Sequence, residues 1–176
     1  MRSPLLIPRA RWKAVAFPLF LAASFTILSG CNDNEASQAA SMRNIKSNGY
    51  ITVTQNNINV GTIEMSKGTI DIPFLFRNDG NEPLALLEGE TSCMCTTASI
   101  KSKAGRSQRM TMRGHGVIAR MYHVLDPGEE ATLIATFDPN AHGPSGTGQI
   151  SRDVIVQTNS SRTPSMQFRF MGNVVP

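Results

Sequence analysis

The chain has 176 residues, with 17 Lys and Arg against 13 Asp and Glu and a formal charge of +4. Four of those cations, Arg2, Arg9, Arg11 and Lys13, precede Cys31, and every acid follows it, so the stretch from Cys31 onward is balanced at 13 against 13. A balanced body carries no basic field for a phosphate backbone, which excludes nucleic acid as a partner.

The first element is a leader over residues 1–30. Its basic start precedes residues 14–28, which are apolar or small apart from Pro18, Ser24 and Thr26. That is the length of a signal-peptide apolar region and short for a bilayer span. The closing Leu28-Ser29-Gly30-Cys31 resembles the bacterial lipobox. The resemblance implies cleavage before Cys31, lipidation of its thiol and a body held by the lipid at a membrane of the bacterial cell envelope, outside the cytoplasm. After cleavage about 145 residues remain, enough for one domain with a single core. Residues 31–49, dominated by Asn, Ser, Ala and Gln, read as the lipidated N-terminus and a flexible tether.

From residue 50 the texture changes to short runs of period-two alternation separated by turn residues. Tyr50-Ile51-Thr52-Val53-Thr54 is the first and residues 58–65 the second, and Ile70, Ile72, Phe74 and Phe76 mark the clearest strand. Asn78-Asp79-Gly80-Asn81 reads as a turn, after which residues 84–87 lead into Cys93-Met94-Cys95. Ala131, Leu133, Ala135 and Phe137 make another strand behind the Asp126-Pro127-Gly128 turn. A Pro/Gly loop over 138–148 follows, then strands over 150–158 and 166–174. With no 3.6-residue amphipathic pattern, the prediction for residues 50–176 is an all-β, Ig-like sandwich of about seven strands. Residues 101–122 break the rhythm with Gly, Arg, Ser and Met and read as an insertion between core strands. Its cluster of Lys101, Lys103, Arg106, Arg109 and Arg113 reads as a solvated loop.

Several pieces together resemble a known family. Phe74-Leu75-Phe76-Arg77-Asn78-Asp79-Gly80 with Pro83-Leu84 is similar to an F-x-F-x-N-x-G-x-x-P-L strand and turn, and Ser92-Cys93-Met94-Cys95-Thr96 is similar to an S-C-G-C-T signature with Met in place of Gly. Leu125-Asp126-Pro127-Gly128-Glu129, Phe137-Asp138 and Val156-Gln157-Thr158-Asn159 follow in the same order. These motifs resemble the bacterial exported domain-of-unknown-function family 1573, over roughly residues 58–174. The resemblance implies an Ig-like fold and an exported location, with protein binding as the natural inheritance.

The candidate chemistry lies within residues 93–142, which hold every His of the chain and both cysteines beyond Cys31. In an extended strand Cys93 and Cys95 share a face at a Cα spacing of about 6.6–6.8 Å, at the upper limit for a disulfide. A bridge needs a bent backbone, whereas two thiolates on one metal tolerate the spacing. Met112, His115 and His142 add thioether and imidazole donors. Thiolate, thioether and imidazole suit copper as Cu(I), and thiolate with imidazole suits zinc equally. The candidate site is Cys93, Cys95 and His115, completed by Met112 or His142; a labile disulfide and inert thiols are the other readings of the same residues. The Gly143–Gly148 run lacks the Lys-Ser/Thr of a phosphate loop, no nucleophile elbow is present, and no catalytic residues are assigned. Two functions therefore stand: a non-enzymatic binding or scaffold module for an envelope protein, and a soft-metal or thiol-redox protein built on Cys93 and Cys95.

Overall fold

Alternation of apolar and polar side chains buries one face of a strand and solvates the other. In β3 (Ile70–Asn78) this places Ile72, Phe74, Phe76 and Asn78 inside while Asp71, Pro73, Leu75 and Arg77 face water. A computed structural model describes residues 37, 41–116 and 119–176; the leader, its lipobox and Cys31 lie outside the described residues. Within them no helix is long and apolar enough to cross a membrane.

The chain forms the expected all-β Ig-like sandwich. Among the described residues it has ten strands in place of about seven. One sheet runs in the order β1 (Ile51–Val53), β3, β8 (Glu130–Phe137), β5 (Thr96–Ser102) and β6 (Gly105–Arg106). The other runs β2 (Asn57–Glu64), β10 (Ser165–Val175), β9 (Gly148–Thr158), β4 (Leu84–Thr91) and β7 (Ala119–Leu125). Neighbours pair antiparallel except β2 and β10, which are parallel. The strands missing from the sequence reading are β5, β6 and β7. In β5 the buried row is Thr96, Ala98 and Ile100, too small and polar to stand out as a strand.

The core sits between the sheets. Phe168 of β10 meets Phe74 and Phe76 of β3 at ring separations of 5.4 and 5.7 Å, and Phe170 meets Phe137 at 5.6 Å. Tilted and edge-on contacts of this kind add to the area term that aromatic burial supplies.

Within residues 101–122, read from the sequence as an insertion between core strands, the described part packs against the sandwich. Met110 is fully buried and exchanges both backbone hydrogen bonds with Ala98 of β5. Two residues on, Met112 bridges Thr91 of β4 in the other sheet. The segment thus crosses from sheet to sheet and covers one side of the core, which is why Met110 is buried. The presumed tether differs too. Over residues 42–49 the chain lies against the domain: Ser47 bridges Ser160, and the buried Asn159 donates to the carbonyls of Met42 and Ile45 while accepting from the Ala85 N–H. Arg43 donates to the Leu87 and Met121 carbonyls, where a register shift between Leu86 and Glu88 interrupts the β4–β7 ladder. Small polar side chains here serve backbone groups that would otherwise be unpaired.

Candidate functional site

Thr91 ends β4 and the chain turns sharply before β5 begins at Thr96. The turn is held from inside: Thr91 Oγ1 donates to the Cys93 and Thr96 carbonyls, and the Thr96 N–H returns to the Cys93 carbonyl at 3.1 Å. Ser92 and Asp153 exchange two hydrogen bonds of 2.9 Å, tying the turn to β9. Of the two geometries weighed from the sequence, the chain takes the bent one that a bridge needs. The Cα atoms of Cys93 and Cys95 come to 5.3 Å and the two residues form a disulfide, inside the usual Cα range.

The two sulfurs occupy different surroundings. Cys95 is 2% exposed, and Arg152 of β9 donates from Nε to its Sγ at 3.1 Å. Cys93 is half-buried, with Nε2 of the exposed His142 at 3.4 Å. The Asp138 N–H donates to the Cys95 carbonyl at 2.8 Å, and Asn140 reaches the Met65 carbonyl at 3.0 Å, so the 138–148 loop that carries His142 is fastened at its base. Partial burial draws the Arg152 pKa downward, yet a guanidinium remains charged at any working pH. A cation donating to sulfur favours the thiolate over the thiol.

Of the residues singled out in the sequence, Cys93, Cys95 and His142 come together, their ligand atoms all within 4.8 Å of one another. His115 does not join them: it sits exposed in the 113–116 turn, its N–H on the Met112 carbonyl. Met112 is half-buried in its bridge to Thr91. His123 is buried on β7 with Nε2 3.4 Å from the Gly105 carbonyl. Cys31 lies outside the described residues.

Arg152 was missed in the sequence. It shares parity with Val154 and Val156 on β9, so it continues their inward row toward the end of the strand. A cation on an apolar row is a legible signal, but its target 57 residues away is set by the β4–β9 pairing.

The fold and this constellation define a class: an Ig-like β-sandwich bearing an asymmetric cysteine pair at one pole. The model of the family described as protein of unknown function (DUF1573) matches residues 51–112, from β1 through both cysteines to Met112. The later motifs at 125–129 and 156–159 fall outside the matched residues. A protein of unknown function from Porphyromonas gingivalis W83 superposes with a TM-score of 0.51 at 18% identity, covering 71% of this chain and 46% of that one. The chain thus spans under half of that protein, and the likeness is one of fold. The ASH/PapD-like domain of human CEP192 (TM-score 0.39, 14% identity, 71% of this chain and 84% of that one) and the E. coli chaperone DraB (0.41, 10%, 73% and 55%) are more distant. No curated protein matches the sequence.

Proposed function

We propose that this chain is a lipid-anchored protein of the bacterial cell envelope whose Cys93–Cys95 pair works as a reversible thiol–disulfide centre. The observation that carries this is the unequal setting of the two sulfurs, one half-open beside an imidazole and one buried against a guanidinium. An incoming thiolate from a partner dithiol attacks the accessible Cys93 Sγ. The sulfur–sulfur bond breaks, and its electron pair leaves on Cys95 as a thiolate facing Arg152. The partner's second thiolate then attacks the partner's own sulfur in the mixed disulfide, releasing Cys93 as a thiolate that takes a proton from solvent. The partner leaves oxidised and this chain holds two reduced sulfurs. A lower-pKa leaving sulfur departs faster, which is the contribution Arg152 makes. No enzyme activity toward a small molecule is assigned.

The experiment is alkylation and mass mapping of the full chain, extracted in detergent, across glutathione redox buffers. The expected result is a two-electron transition localised to Cys93 and Cys95. In Cys95→Ser the remaining thiol should accumulate as a mixed disulfide with glutathione, and in Cys93→Ser it should not. A pair that cannot be reduced, or thiols that never join in oxidising buffer, would remove the reading. The anchor is tested separately by labelled palmitate, whose incorporation should vanish in Cys31→Ala.

Met94 favours a second reading, a purely non-covalent binding module. It is 51% exposed at the tip of the turn, an apolar contact ready for an envelope protein. Under that reading Met94→Ser weakens capture of the partner and Cys93→Ser leaves it unchanged.

A further inference from the structure

Reduction of the pair leaves two sulfur donors beside the His142 ring, in a cluster whose ligand atoms already lie within 4.8 Å of one another. Metal–sulfur bonds of about 2.3 Å and metal–nitrogen bonds near 2.0 Å place three such donors roughly 3.5–4 Å apart around one ion. Small side-chain rotations at the 92–95 turn and in the exposed His142 reach that arrangement. We propose that in its dithiol state this pole binds one soft monovalent cation, Cu(I), through Cys93 Sγ, Cys95 Sγ and His142. The proposal rests on the reading above that the pair is reducible.

Charge selects the ion. Two thiolates, a neutral imidazole and the Arg152 guanidinium on Cys95 Sγ leave a single net negative charge. A monovalent cation cancels it, while a divalent one leaves a positive charge in a partly buried place. Three donors also satisfy Cu(I), whereas structural zinc takes four. Binding displaces the thiol protons to solvent, so affinity rises with pH until both sulfurs are ionised. His115, expected from the sequence to ligate, takes no part.

The test uses the full chain in detergent, reduced with a phosphine without oxygen and titrated with Cu(I) in competition with bicinchoninate. The expected result is one Cu(I) per chain. Binding should be lost in Cys93→Ser and in Cys95→Ser, weakened roughly tenfold or more in His142→Asn and unchanged in His115→Asn. Arg152→Gln should raise affinity for Zn²⁺ relative to Cu(I). A chain that resists the phosphine overturns the thiol reading and this proposal together. A chain with two alkylatable thiols that takes up no Cu(I), or takes it up undiminished in the serine variants, overturns the copper proposal alone. Because His142 is exposed, its variant keeps the fold and separates ligation from folding.

Discussion

A guanidinium 3.1 Å from Cys95 Sγ stabilises negative charge on that sulfur, whereas the neighbour of Cys93 Sγ among the described residues is the His142 imidazole. Arg152→Gln keeps a hydrogen-bond donor and removes the charge. Reduction of the pair by excess glutathione should slow by about threefold to tenfold, with Arg152→Lys recovering part of the loss; equal rates in all three proteins would strip Arg152 of its role. The neighbouring Asp153 answers a different question. Arg169 donates to it through Nε and Nη2 at 2.7 and 3.0 Å, and this hydrogen bonding, with the attraction between the charges, holds the carboxyl below its ordinary range. A folded pKa lower than the unfolded one stabilises at neutral pH, and that contribution fades as the pH drops from about 4 through the folded value. Asp153→Asn should therefore be less stable than the parent at pH 7 and lose less on acidification, as read by urea unfolding between pH 7 and 2.5. Parallel acid profiles for the two proteins would show that the pair adds nothing.

At the scale of elements, the close packing of β4 against the crossing segment carries the clearest expectation. A Cβ added at Gly89 would lie 2.9 Å from Met110 Cγ and 3.2 Å from Met121 Cε, both side chains being buried. Gly89→Ala should cost about 1–3 kcal/mol through overpacking, measured by urea unfolding, with part of it recovered when Met110→Ala is added. A neutral single substitution would mean that this wall yields freely. The same wall marks where sequence reading stopped. Period-two rows such as Ile70-Ile72-Phe74-Phe76 announce a strand with one buried face, and turns such as 78–81 mark where a strand ends. By contrast, Met110 and Met112 look like loop residues because their partners, Ala98 and Thr91, belong to opposite sheets. At the site, Cys93, Cys95 and His142 were in view as donors. Their bend was not, because Thr91 Oγ1 closing back on the 93 and 96 carbonyls is chemistry that any strand-ending Thr could supply or withhold. His115 was favoured on proximity in sequence, which the turn at 113–116 defeats.

For the molecule as a whole, stability rests on the aromatic contact that joins the two sheets. Phe168 is fully buried against Phe74 and Phe76. Phe168→Ala should cost about 3–5 kcal/mol and lower the midpoint by every probe at once, since both sheets lose the same support. Separate transitions for the two sheets would contradict a single core. The placement of the poles has its own consequence. The docked stretch around Ser47 meets the Pro83 carbonyl just ahead of Leu84, at the start of β4. The cysteine turn follows Thr91 at its far end, about 25 Å away at 3.2–3.4 Å per residue over eight residues. The sulfurs and the docked stretch around Ser47 therefore occupy opposite ends of one strand. A visitor that engages the cysteine turn can do so without disturbing the contacts around Ser47.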